Sequence, residues 1–175
     1  ARTFLGPKRG PSVFSTPVKS AVYAKTYQEA CEENEKALGK KLSKQTWNIC
    51  GKIREANEFL HHISSGSRRA FPSMREAHPE LCFLGWCGAP CKHNKKTPEG
   101  FAERIEIIAR LCPDFPSSIH EVISRTPRRL ASPDDFLDAA ILAITAAKHE
   151  ALTSVPHSPD YSSRGIRREI VYYKS

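Results

Sequence analysis

Apolar positions recur at helical spacing through most of this chain. From about Val18 to Leu38, Val22, Tyr23, Tyr27, Ala30 and Cys31 share one face, while Glu29, Glu32, Glu33 and Glu35 fall on the wet side, and Gly39 supplies a stop. Ser43 can cap a second helix running to about Ile63, with Trp47, Ile49, Cys50, Ile53, Ala56 and Leu60 facing inward. A short helix can begin at Pro79 and pass through Leu81, Phe83 and Leu84. Thr97 and Pro98 mark the start of another, Glu99 to about Leu111, that buries Phe101, Ile105, Ile108 and Leu111. A further short helix is expected over Ser117 to Ser124.

The most strongly marked helix is the stretch SPDDFLDAAILAITAAKHE, expected over 133–149. Ser132 suits the N-cap and Pro133 the first turn. Asp134 and Asp135 then sit where the positive end of the helix dipole favours carboxylates. Phe136, Leu137, Ala140, Ile141, Ile144 and Ala147 give a broad apolar stripe that needs a packed partner.

Between these helices the pattern weakens. The opening ARTFLGPKRGPSVFSTP reads as a loop, since its glycines have neither Walker nor dinucleotide-binding spacing. Lys40, Lys41 and Lys44 form a basic connector. Ser64 to Arg69 is a polar break, and Ala70 to Ala77 a short extended piece leading to Glu76. A proline-containing loop is expected from Thr153 to Arg164, then a closing strand over 166–173, rich in residues that suit a pleated surface. No internal repeat or low-complexity tail is present, and 175 residues suit one domain with a real core.

Composition changes this picture in two places. A net charge of +8 and a pI near 9.3 favour a polyanionic partner, although solubility alone accounts for a basic surface equally well. No apolar run approaches membrane-spanning length, and the first residues lack the apolar core of a signal peptide. The six cysteines have neither the density nor the spacing of a disulfide framework and read as reduced thiols of a cytoplasmic protein. Cys82, Cys87, Cys91 and His93 place four zinc-type ligands close together, but as C-x4-C-x3-C-x-H and not as paired C-x2-C knuckles, so zinc is not expected.

Candidate chemistry gathers at the start of the 133–149 helix. Asp135 and Asp138 are three residues apart, roughly 60° around the helix axis and within reach of one cation. Capping and dipole compensation account for Asp134, and in part for Asp135, without any function. They account less well for Asp138, a turn further in and beside core positions. Glu76, His78 and Glu80 form a second acidic neighbourhood in sequence. The basic loops hold Lys92, Lys95 and Lys96, and Arg125, Arg128 and Arg129, as candidate phosphate contacts, with solvation the ordinary role of a loop lysine.

Taken together, LGPKRGPSVFSTP, KIREANEFL, REAHPELCF, KKTPEGFAER and DDFLDA resemble, in order and approximate spacing, the predicted RNase H-like nuclease family catalogued as domain of unknown function 429. The DFLDAAILAIT segment is also similar to the last helix of RuvC-type junction resolvases. The resemblance implies an α/β RNase H-like fold whose acidic first strands precede Ala1, so that residues 1–175 would be its C-terminal, mostly α-helical part. It implies phosphodiester hydrolysis in nucleic acid with Mg²⁺ or Mn²⁺ held by carboxylates. Glu76, Asp135 and Asp138 match the family's acids, and Lys95 and Lys96 its basic pair. His78 would orient a ligand or water, or serve as a hydrogen-bonded structural histidine. Two other classes stay open: a non-catalytic nucleic-acid-binding module, and a regulatory protein of nuclease ancestry.

Overall fold

The computed structural model describes residues 1–65, 74–162 and 165–175, with the backbone alone for 62–65. The expected break at 66–69 and the start of the extended piece at 70–73 lie outside the described residues. The chain is mixed α/β and mainly helical, and the described residues fall into two compact units, one of 1–13 with 75–175 and one of 14–74.

The 14–74 unit holds α2 (Lys19–Tyr23), α3 (Tyr27–Leu38) and α4 (Lys44–Ser65) around Ala21, Val22, Ala24, Ala30, Cys31, Leu42 and Cys50. The single helix expected over 18–38 is two, because Thr26 and Glu29 form a capping box. Thr26 Oγ1 accepts the Glu29 N–H at 3.2 Å, and the Glu29 carboxylate accepts the Lys25 N–H at 2.8 Å. Gly39 ends α3 in the left-handed conformation, φ 68°, as its position suggested. Ser43 caps α4, accepting the Thr46 N–H at 3.1 Å. The buried side of α4 is Thr46 and Cys50, with Trp47 and Ile53 partly covered, whereas Ile49 and Ala56 face solvent.

The other unit is built on α5 (Pro79–Cys87), whose Glu80, Leu81, Cys82, Phe83 and Gly85 are all buried. A helix covered on several sides needs apolar residues all round, which is the composition of PELCFLGWC. Around it pack α1 (Arg2–Arg9), α6 (Pro98–Leu111), α8 (Pro133–Ala146) and β2 (Arg167–Tyr173), with α7 (Phe115–Arg125) against α6 and α8. The core joins Leu81, Phe83, Ile107, Ile108, Leu137 and Ile141. Trp86 Nε1 donates to Thr145 Oγ1 at 3.1 Å across the α5 and α8 contact. At Gly85 a Cβ would collide with the carbonyl of Tyr173, so the missing side chain lets α5 lie against the end of β2.

Three expectations need correction here. The opening stretch is helical over α1, two short turns joined at Gly6, where φ is 66°, followed by a 3-10 turn at Gly10–Ser12. The 153–164 loop is mostly a strand, β1 (Leu152–Tyr161), antiparallel to β2. Pro156 and Pro159 are tolerated because both fall between Val155 and Asp160, where the register breaks and no ladder donor is required. In α6 the element bounds agree with expectation, but the deepest positions are Gly100, Arg104, Ile107 and Ile108, with Phe101, Ile105 and Leu111 partly covered. β2 has a second backbone neighbour, since Ala77 bridges Val171 in parallel and the Val171 N–H donates to the Glu76 carbonyl at 2.7 Å.

Candidate functional site

Helix α8 carries Leu137, Ile141 and Thr145 at its buried core-facing side. Extending that side one turn toward the N-terminus brings in Asp138 and then Asp134, four residues apart and almost in line. Asp135 lies round the helix and is exposed. Its carboxylate accepts the Ser132 N–H at 2.8 Å, the acidic half of a capping box. The Ser132 hydroxyl, with one hydrogen to give, lies 2.7 Å from both Asp134 Oδ1 and Asp135 Oδ2. The pair facing one cation is therefore Asp134 with Asp138, and the residue assigned by sequence to capping alone is the one that joins Asp138.

The cation is Lys95. Its Nζ lies 2.6 Å from Asp138 Oδ2 and 3.1 Å from Asp134 Oδ2. Solvation, the ordinary role of a loop lysine, does not describe this side chain, which is only 30% exposed. The loop that presents it is fastened to α6. The Glu103 carboxylate accepts the N–H groups of Lys92 and His93 at 2.7 and 2.9 Å. Arg104 Nη1 donates to the carbonyls of Gly100 and His93 at 2.8 and 3.3 Å. Thr97 donates to the Asn94 carbonyl from both its N–H and its hydroxyl, and a Cβ at Gly100 would run into that same oxygen.

Beneath the loop, Arg104 is wholly buried and paired with Glu80. Glu80 uses Oε1 for this contact, and its buried Oε2 has no hydrogen-bond partner. Asp138 Oδ1 and His78 Nδ1 are likewise buried and unpartnered. The three groups feel one another's charge. Burial pushes the Asp138 carboxyl up, Lys95 offsets part of this, and the charges of Asp134 and Glu80 add to the rise. Burial pushes Asp134 the same way, but hydrogen bonds from Ser132 and Lys95 outweigh it and hold the group low. Burial would lower Lys95, yet the two carboxylates keep its ammonium charged beyond the usual range. Burial lowers His78 despite Glu80 and Asp138 nearby, which favours the neutral imidazole.

Glu76 is at the surface, beside the bridge to β2, although the protein around its carboxyl raises its pKa by desolvation. Glu76, Asp135 and Asp138 do not meet, and among the described residues no three His, Cys, Asp or Glu side chains are grouped to hold a metal ion. Lys92, Lys96, Arg128 and Arg129 are exposed, as is Arg125, which pairs with Glu121 at 2.7 Å. Cys82 and Cys91 are buried and Cys87 is exposed; burial pushes the Cys91 thiol up to about 12. Sequence reasoning missed the roles of Asp134 and Arg104. The signal for Asp134 was its i,i+4 spacing to Asp138; for Arg104 it was its place four residues before Ile108, inside the buried stripe.

The donor set of the α8 pair suits a hard cation. Two carboxylates with the rest of the shell left to water and phosphate is how Mg²⁺ is commonly bound, and Asp138 Oδ1 is buried without a hydrogen-bond partner. A family model described as Protein of unknown function (DUF429) matches residues 1–161. The chain belongs to the DUF429 family. No curated protein and no solved structure matches it. In this DUF429 chain no described helix is long and apolar enough to cross a membrane.

Proposed function

We propose that this DUF429 protein is a divalent-metal-dependent nuclease of RNase H-like fold that hydrolyses phosphodiester bonds in nucleic acid. The observation carrying the reading is the convergence of Asp134 and Asp138 on one cationic point at the end of a buried helix, with Asp138 Oδ1 unpartnered. Asp138 and Asp134 would hold the ion, with Asp134 in the role expected of Asp135. Bound there, Mg²⁺ or Mn²⁺ would polarise a phosphoryl oxygen and lower the pKa of water. An acidic helix packed on α5, which itself lies against β2, and a β2 with one antiparallel strand neighbour and one isolated parallel bridge, are compatible with an RNase H-like topology.

The protein's own groups supply binding and proton handling. Lys92, Lys96, Arg128 and Arg129, exposed and without carboxylate partners among the described ion pairs, are suited to phosphate contact, and Arg125 could exchange Glu121 for a phosphate. Neutral His78 can accept or donate a proton near Asp138. All six cysteines are free thiols, which fits a reducing, cytoplasmic setting.

The test is cleavage of DNA and RNA by the full-length protein with Mg²⁺ or Mn²⁺, wild type against Asp138→Asn, with circular dichroism to confirm folding. Loss of cleavage in the folded variant supports the reading, and full activity defeats it. A second reading, a non-catalytic nucleic-acid-binding module, is favoured by the ammonium already seated between the two carboxylates. It predicts salt-sensitive binding that survives EDTA and Asp138→Asn, with no cleavage in either form.

A further inference from the structure

Lys95 gives each carboxylate of the α8 pair one close contact and leaves the pair incompletely served. Asp134 takes a further hydrogen bond from the Ser132 hydroxyl, whereas Asp138 Oδ1 stays buried without a partner. With both carboxylates ionised the single ammonium offsets one charge of two, and low-dielectric surroundings oppose the excess. A hydrated divalent ion would balance both charges, and its bound waters could reach the unpartnered oxygen. The ammonium and such an ion cannot share the point where the two Oδ2 atoms converge, since like charges that close repel strongly.

The backbone of the loop does not depend on the lysine side chain for its anchoring. Glu103, Arg104 and Thr97 hold the loop at the main-chain atoms of residues 92–94, just before Lys95, and the Lys96 N–H donates to Asn94 Oδ1 just after it; none of these contacts uses the lysine side chain. The four-carbon stem can therefore swing outward while the loop keeps its place. At 30% exposure the side chain also has a route to solvent.

We propose that Lys95 is a resident counter-cation of Asp134 and Asp138 that one divalent ion must displace, so that this lysine sets the metal affinity of the site. The inference rests on the nuclease reading above only in taking the carboxylate pair as the metal ligands. It identifies Lys95 as a positioning and gating residue for that site, distinct from the exposed phosphate-contact lysines Lys92 and Lys96.

Mn²⁺ binding, followed as the loss of the free-ion electron paramagnetic resonance signal, tests the idea without any cleavage assay. Wild type is compared with Lys95→Met, with Lys95→Gln as a second neutral form should the first fail to fold, and with each combined with Asp138→Asn. The neutral variants should bind one Mn²⁺ on the order of tenfold tighter than wild type or more, and Asp138→Asn should remove the gain. Equal affinity in wild type and neutral variants, abolished in both by Asp138→Asn, would overturn the displacement and leave the metal site standing. Absence of saturable Mn²⁺ binding in every form would overturn both.

Discussion

Arg104 and Glu80 form an ion pair, at 2.5 Å, inside the larger unit, with the arginine side chain wholly removed from solvent. The same guanidinium reaches the carbonyls of His93 and Gly100 and lies 5.4 Å from the Phe83 ring centre. It thus joins α5, α6 and the loop that carries Lys95. Removing one partner leaves a buried charge without compensation, so Arg104→Met should cost about 3–5 kcal/mol. Glu80→Gln with Arg104→Met should cost clearly less than Arg104→Met alone. Urea unfolding of the two variants decides between a structural pair and two independent contacts.

Gly100 offers a finer probe of the same loop. A methyl group there meets the Asn94 carbonyl, one residue before Lys95. Gly100→Ala should lower stability by about 1–3 kcal/mol as the loop shifts. Gly51→Ala is the control, because nothing lies within 4 Å of its added carbon and alanine is the better helix former; it should stabilise by about 0.5–1 kcal/mol. A similar small gain at both positions would mean that the 94–100 contact tolerates a side chain.

His78 predicts a pH dependence of stability. Burial holds its folded pKa below the ordinary value of 6.5, so between the two values the unfolded chain binds more protons. The contribution is fully present above pH 6.5 and is lost as pH falls through the folded pKa. Wild type should therefore lose stability relative to His78→Gln on going from neutral pH to about pH 5. A constant difference across that range would remove the claim that the imidazole is held neutral.

For nucleic acid, the expected slope is electrostatic. Replacing Lys92, Lys96, Arg125, Arg128 and Arg129 with Gln should flatten the dependence of log affinity on log salt, by about 0.9 for each duplex phosphate that the variant no longer neutralises. Lys95→Gln should change that slope less, because its charge is already committed to Asp134 and Asp138. An unchanged slope in the fivefold variant would assign the net charge of +8 to solubility.

Local signals in this chain proved legible where a few neighbouring residues decide the outcome. Thr97 and Pro98 mark the start of α6, Gly39 the end of α3 and Ser43 the cap of α4, because each satisfies backbone groups one turn away. The closing strand was readable from its β-branched and aromatic run. The break at Thr26 was also written locally, as T-x-x-E, but its apolar face continues across the break and reads as one helix.

Other features depend on partners far away in the chain. Proline-rich 152–161 becomes a strand because β2 lies beside it, and Arg104 can be buried because Glu80 supplies a counter-charge from α5. Asp134 and Asp135 are equivalent by type and both suit a helix start. The Ser132 N–H takes Asp135, while Lys95, some forty positions earlier, reaches Asp134 and Asp138 on the continuation of the buried stripe. Sequence alone thus determined that a cluster of acids begins an apolar helix. Only the tertiary structure decided which two face inward together and which cation they share, because that choice is set by the packing angle of α8 and the anchored loop, not by spacing along one helix.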